Sequence, residues 1–367
     1  MTETLEIFLV TVPGLEASLE KEAIELGYSD AAASTGGVTV TGTWIDVWRF
    51  NLMLRGASHV LVRIASFRVV HLAKLDKQAN RIDWRALLSL SHPVRVEATC
   101  KKSRIYHHKA ASQRIEDAIK GVGIEIDPQA DICIKARILD DLCTISIDTS
   151  GDSLHKRGHK QGVNKAPMRE NIAALLIKEC GFTGDEPVLD PMCGSGTFVI
   201  EAAEIAQGLL PGRSRTFAFE KLLSFDPVAW DSLRSQSQPH DDTPHFYGFD
   251  RNDGAIELSR ANAERAGVAQ CTVFEKGTIN ALKAPGGAKG LVIINPPYGV
   301  RLGEIKRLGA LYKAMGSTLA REFVGWRIGL ITSSDSLAQA TGLPFSKTLP
   351  FSHGGLSVKL YQTEVLV

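Results

Sequence analysis

Between residues 165 and 367 the chain alternates short apolar runs with helical stretches, and this alternation constrains the fold more than any other feature. Runs such as Leu291-Val292-Ile293-Ile294 are apolar at every position, as strands covered by helices on both faces must be, and strands joined through helices run parallel. The pattern predicts a doubly wound α/β domain with strands at 187–190, 245–250, 271–274, 291–295 and 327–332, closed by a C-terminal hairpin. Ligands of such sheets bind at the carboxyl edge of the strands.

The first half reads differently. An apolar run, Ile7-Phe8-Leu9-Val10, leads through Pro13-Gly14 into a charged helical stretch from Leu15 to Leu26, and Val38-Thr39-Val40 follows as a second extended run. This is a small β-α-β unit. From Val60 a second set begins, with extended runs at 60–64, 94–98, 132–136 and 143–147 and helical segments at 84–90 and 112–121. Both sets predict α+β domains with antiparallel strands. Residues 151–164 carry little apolar periodicity and three glycines, and they read as an interdomain linker. The expected division is 1–65, 66–150, the linker 151–164, and 165–367.

A length of 367 residues with 44% hydrophobic and 23% charged content suits two or three globular domains and excludes a disordered chain. No apolar run reaches membrane-spanning length, and Met1-Thr2-Glu3-Thr4 lacks the start of a secretory signal. The expectation is a cytoplasmic protein with no membrane partner. Six scattered cysteines form no C-x-x-C pair, and His155 and His159 have no accompanying metal pattern, so reduced thiols and no metal are expected.

Pro187-Val188-Leu189-Asp190 is a short strand followed by Pro191-Met192-Cys193-Gly194-Ser195-Gly196-Thr197 and then a helical run from Phe198. A glycine turn between strand and helix lets backbone approach a ligand, although many such turns only pack. A dinucleotide fingerprint starting at Gly194 requires glycine where Val199 stands, and no phosphate-loop Gly-Lys-Ser/Thr ending follows. Asp250, at the end of Phe246-Tyr247-Gly248-Phe249-Asp250, is placed to accept both hydroxyls of a ribose. The competing role for Asp250 is to cap the helix beginning near Asp253.

The strand Leu291–Ile294 runs into Asn295-Pro296-Pro297-Tyr298. Two prolines cannot extend a central strand, so the chain leaves the sheet with one amide side chain held at its carboxyl edge. An exocyclic purine amine is a poor nucleophile because its lone pair is delocalised into the ring. Acceptors on both amine hydrogens favour the pyramidal, reactive form, and the Asn295 side-chain oxygen and the Pro296 carbonyl are two such acceptors. Tyr298 offers a face on which a splayed-out base can stack. The competing reading is a rigid turn with a packed tyrosine.

These stretches together resemble the class I RNA guanine-N2 methyltransferases that carry a THUMP domain, in particular the bacterial large-subunit rRNA enzymes. The likeness rests on 190–197, on Tyr247-Gly248-Phe249-Asp250, on Asn295 to Gly303, and on the junction Asp148 to Gly158. It implies a Rossmann-like catalytic domain at 165–367, an N-terminal ferredoxin-like domain at 1–65 and an RNA-binding THUMP domain at 66–150. It implies S-adenosylmethionine as cofactor, with Gly194 and Gly196 on its methionine part, Asp250 on its ribose, and Asn295, Pro296, Pro297 and Tyr298 at the target base. Asp190, Pro191, Cys193 and Thr197 complete the turn, and Ala166 to Glu170 borders the cofactor. Relatives place an acidic residue for the adenine amine where this chain has Gly277-Thr278, which leaves Thr278 or the backbone to meet it.

Net charge is only +1, so RNA contact requires a local basic cluster. Residues 100–114 hold Lys101, Lys102, Arg104, Lys109 and Arg114 with Tyr106, His107 and His108 interleaved and no acid, and the junction adds Lys156, Arg157, Lys160 and Lys165. Such runs fit phosphate contact, though a charge run is more often a solvated face. The RNA is rRNA by the closer resemblance, with tRNA as the alternative. A DNA adenine methyltransferase and a non-catalytic RNA-binding protein are the more distant readings.

Overall fold

The computed structural model describes residues 4–161, 168–235, 244–298 and 302–367, with residues 302–307 described by backbone alone. The chain divides into two compact units, Met1–Thr11 with Leu19–Leu154 and Arg215–Gln236, and Val12–Ser18 with His155–Ser214 and Ser237–Val367.

The first unit is built on a seven-stranded sheet. In chain order its elements are β1 (Leu5–Val10), α1 (Glu16–Glu25), β2 (Ala32–Ser34), β3 (Gly37–Gly42), α2 (Trp44–Met53), β4 (His59–Arg68), α3 (Leu72–Ala79), α4 (Trp84–Leu87), β5 (Val94–Lys101), α5 (His108–Gly121), β6 (Ile132–Leu139) and β7 (Leu142–Asp148). The strand order is β2-β3-β1-β4-β7-β6-β5. β4 pairs with β1 on one side and β7 on the other, so a single sheet runs through residue 65 rather than ending there. The antiparallel expectation fails at one place: β5 and β6 are parallel, because the 14-residue α5 provides the crossover that a parallel pair requires.

The second unit contains α6 (Glu170–Glu179), β8 (Val188–Asp190), α7 (Thr197–Ala206), β9 (Phe246–Asp250), α9 (Asp253–Ala266), β10 (Thr272–Lys276), β11 (Leu291–Ile294), α10 (Leu302–Glu322), β12 (Arg327–Thr332), α11 (Asp335–Ala340), β13 (Phe345–His353) and β14 (Leu356–Thr363); α8 (Pro227–Arg234) belongs to the first. Its strand order is β10-β9-β8-β11-β12-β14-β13, with the first five strands parallel and the C-terminal hairpin antiparallel. The fold is therefore mixed α/β with a Rossmann-like sheet.

The apolar runs separate by alternation. Val188, Leu291, Ile293 and Ile331 pack with α6, α7 and α9, whereas Leu189, Val292, Ile294 and Leu330 pack with α10 and α11. Both faces are thus dry, which is why the strands read as unbroken apolar runs. α9 starts at Asn252, whose side chain accepts from the Gly254 N–H at 3.0 Å, and stops at Gly267 in the left-handed region at φ 75°. β11 ends at Ile294, one residue before the expected limit, because Pro296 follows.

At Gly248, on β9, an added Cβ would come within 2.5 Å of the Phe274 ring and 3.1 Å of the Cys193 Cβ. Gly248→Ala should cost about 1–3 kcal/mol by overpacking, read as a lowered urea midpoint. Gly254→Ala, with nothing nearer than the Asn252 side chain at 3.5 Å, serves as control. Equal midpoints for the two variants would contradict this packing.

Candidate active site

Three parallel strands, β9, β8 and β11, end side by side, and the residues expected to act lie just beyond them. Asp190 closes β8 and is buried, its Oδ1 accepting the Met192 N–H at 3.0 Å. The turn then folds over the end of β9. The Cys193 N–H donates to the Phe249 carbonyl at 2.9 Å, and the Gly196 N–H donates back to the Cys193 carbonyl at 2.8 Å. Gly194 and Gly196 sit at φ 55° and 81°, a region that disfavours side chains, and Gly196 caps α7.

Asp250 is half-buried at the end of β9. Its Oδ2 accepts the Gly194 N–H at 3.1 Å, and its Oδ1 accepts the Asn252 N–H at 2.9 Å. The helix cap is Asn252, so the capping role considered for Asp250 is filled by its neighbour. A carboxylate has about four acceptor positions, and these two bonds leave room for further donors. Pro191, Cys193 and Thr197 are buried within the same turn. Thr278 is exposed just past β10 and begins a short 3-10 turn, Ile279–Ala281, and the Gly277 N–H before it donates to the Asp250 carbonyl at 3.0 Å.

Asn295 leaves β11 with its Oδ1 buried and without a hydrogen-bond partner among the described residues. A buried acceptor left unmade costs roughly 1–3 kcal/mol, and such cost is found where a ligand supplies the missing donor. Pro296 is buried and Pro297 exposed, and the Tyr312 hydroxyl on α10 donates to the Pro297 carbonyl at 3.3 Å. Tyr298 is half-buried and packs against the apolar clusters of both sheet faces. Gly299 to Arg301 lie outside the described residues, as do Ala166 and Pro167.

Several polar residues at the turn escaped the sequence reading. Ser259 on α9 donates to the Gly194 carbonyl at 2.9 Å, and Asn262 donates to the Ser195 carbonyl at 3.0 Å. Both are fully buried and stand three residues apart on one helical face, a polar pair on the side that should be apolar. That spacing was the available signal. Tyr312 carried none, since an aromatic on an amphipathic helix is ordinarily core.

The basic residues divide. Lys101, Lys102, Arg104 and Lys109 are exposed around the end of β5 and the start of α5, and Tyr106, 70% exposed, lies with its ring centroid 4.1 Å from that of His107. Arg104 has an acid beside it that the local run does not show, Asp141 at 3.6 Å. Lys156 is exposed. Arg157 is a correction: only 3% exposed, its Nε lies 3.2 Å from Glu201 Oε1, so it faces inward and presents nothing to a phosphate. Lys160 likewise turns inward, 3.1 Å from Glu170. Lys165 lies outside the described residues.

Comparison with known proteins decides the family. Residues 157–361 match the model of the RMKL-like methyltransferase domain, and residues 6–61 match the RlmL ferredoxin-like domain. The chain belongs to the RMKL-like methyltransferase family. Its relatives include ribosomal RNA large subunit methyltransferase K/L of Psychromonas ingrahamii, 33% identical over 97% of this chain and 50% of its own, and that of Syntrophotalea carbinolica, 31% identical over 100% and 54%. The chain spans about half the length of these curated relatives. The solved structure of SMU.472, described as a methyltransferase and complexed with SAH, is 29% identical with a TM-score of 0.91, covering 100% of this chain and 99% of that one. A predicted N6-adenine-specific DNA methylase from Listeria monocytogenes is 29% identical with a TM-score of 0.89, covering 99% and 97%. Among the described residues no helix is long and apolar enough to cross a membrane.

Burial pushes the Asp190 carboxyl up to about 8, with the nearby Asp250 carboxylate adding to the shift and the Met192 N–H opposing it. A raised folded pKa means the native state holds a proton that the unfolded chain releases near the ordinary carboxyl value of 3.8. Its contribution to stability is complete below that value and is lost as pH rises toward 8. Unfolding free energies of wild type from urea titrations should fall over this window relative to Asp190→Asn by up to about 1.4 kcal/mol per pH unit. Parallel curves for the two proteins would refute a protonated Asp190.

Proposed function

We propose that this chain is an S-adenosylmethionine-dependent RNA methyltransferase acting on the exocyclic N2 amine of a guanosine, in the large-subunit ribosomal RNA. The observation that carries this reading is the acceptor of Asn295, which has no partner among the described residues and follows β11, the neighbour of the strand that leads into the Asp250-bound glycine turn. Membership of a methyltransferase family, relatives named for large-subunit ribosomal RNA, and a close structural neighbour solved with SAH support it.

The residues at the turn fit the cofactor. Two glycines in left-handed conformation leave backbone open for its methionine end, and Asp250 retains acceptor capacity for the two ribose hydroxyls. Asp190, Pro191, Cys193 and Thr197 shape the turn, and the backbone at Gly277-Thr278 borders the adenine. When bound, S-adenosylmethionine supplies an electrophilic methyl group whose carbon–sulfur bond breaks with the electron pair leaving on sulfur.

The chain's part is to make the amine a nucleophile. Asn295 Oδ1 accepts one amine hydrogen and the Pro296 carbonyl the other, which draws the nitrogen lone pair out of conjugation with the ring. The Tyr298 ring holds the base by stacking, and Tyr312 fixes the proline turn behind it. After transfer the amine loses one proton to solvent. The exposed Lys101, Lys102, Arg104 and Lys109 hold RNA phosphates, with Tyr106 and His107 as a stacking surface, within a THUMP domain at 66–150, and the exposed Lys156 of the junction holds a phosphate separately.

Asn295→Ala should leave cofactor affinity near wild type in calorimetry and reduce turnover by roughly 100–1000-fold, the usual cost of one preorganised transition-state contact. Asp250→Ala should do the reverse, weakening cofactor binding about 10–100-fold through loss of charge-assisted hydrogen bonds. Wild-type turnover in Asn295→Ala would remove the amine-clamp mechanism. Charge reversal at Lys101 and Lys102 should weaken RNA binding and flatten its dependence on salt, by about one unit of slope for each phosphate no longer held. An unchanged slope would reduce that cluster to a solvated face.

A further inference from the structure

α7, Thr-Phe-Val-Ile-Glu-Ala-Ala-Glu-Ile-Ala, is an apolar helix with a polar stripe at Thr197, Glu201 and Glu204, spaced four and three residues apart. All three are buried, the two glutamates 1% exposed, and uncompensated carboxylates there would be costly. The compensation for Glu201 comes from residues 157–160, the stretch expected to be linker, and that for Glu204 comes from Arg213. Arg157 pairs with Glu201 at 3.2 Å, and His159 Nε2 lies 3.5 Å from Glu204, which Arg213 also binds. Burial, with help from nearby arginines, lowers His159 to about 4, so it meets Glu204 as a neutral ring near pH 7.

Lys160 completes the stripe at the end that matters for the turn. Its Nζ donates to the Met168 carbonyl at 2.8 Å and to Thr197 Oγ1 at 3.1 Å, and it lies 3.1 Å from Glu170 Oε1. An ammonium has three donors, and these three oxygens take all of them. It is therefore not available to touch a ligand itself. Lys160 therefore ties the start of α6, at Glu170, to the start of α7, at Thr197. A second route reaches the turn from the same segment: Arg265 donates to the His159 carbonyl at 2.7 Å and also binds Asn262, which donates to the Ser195 carbonyl at 3.0 Å.

We propose that Lys160 is a positioning residue for cofactor binding, acting through the Thr197 hydroxyl to fix the start of α7 and with it the Gly194–Gly196 turn. The inference rests on the cofactor reading given above. Lys160→Met keeps the length of the side chain and removes its charge and donors. Calorimetry of the full chain with S-adenosylmethionine should show Kd raised about tenfold or more, while the KM for RNA stays at the wild-type value. Thr197→Val should weaken cofactor binding similarly, and the double variant should be no worse than the weaker single one, because each change breaks the same link. A wild-type Kd for Lys160→Met, or additive effects in the double variant, would overturn the proposal. If Lys160→Met does not fold, Thr197→Val decides it alone, and a wild-type Kd there also overturns it. Absence of cofactor binding by the wild-type chain is a different result, which would sink the cofactor reading itself.

Discussion

The site depends on a reversal in strand order. In the second sheet the chain proceeds from β8 outward to β9 and β10 on one side, then returns to lay β11 and β12 on the other. At such a switch point the loops leaving adjacent strands diverge to opposite faces, and the gap between them is where a ligand can reach backbone from both. β8 leads into the glycine turn, β9 ends on the Asp250 carboxylate, and β11 is followed directly by the Asn295 amide. A different strand order would scatter these groups along the edge.

The sheet can hold its edge in shape because both faces are dry, and the edge then carries costs that a stability-optimised domain would avoid. Asp190 is buried as a carboxyl with a raised pKa, Asn295 buries an acceptor with no donor among the described residues, and two glycines keep left-handed angles. Two of these have compensation nearby, the Met192 amide for Asp190 and Ser259 and Asn262 on the carbonyls of the glycine turn, and the Tyr312 hydroxyl holds the proline turn. The Asn295 oxygen has no partner among the described residues, and its place just past β11, at the carboxyl edge of the sheet, is what favours a substrate donor for it in the proposed reaction.

Much of the catalytic half was legible in the sequence because its strands are buried on both faces, so that apolar runs alone marked β8, β9, β10, β11 and β12 to within a few residues. Asp250 and Asn295 were legible for the same reason, as polar residues ending apolar strands. The parallel β5–β6 pair was not, since antiparallel and parallel strands share one apolar pattern and only the length of α5 distinguishes them. Arg157 and Lys160 were misread as solvent-facing cations because their partners come from elsewhere: Glu201 is 44 residues away from Arg157. The clue lay in α7, whose glutamates recur at helical spacing on a face too apolar to be exposed.

The central claim is that an exocyclic guanine amine receives the methyl group. Incubating the purified chain with S-adenosylmethionine carrying a deuterated methyl group and unmodified large-subunit ribosomal RNA, then digesting to nucleosides for mass spectrometry, tests it most directly. The account predicts deuterium in N2-methylguanosine, and label in N6-methyladenosine or in no nucleoside at all would contradict it.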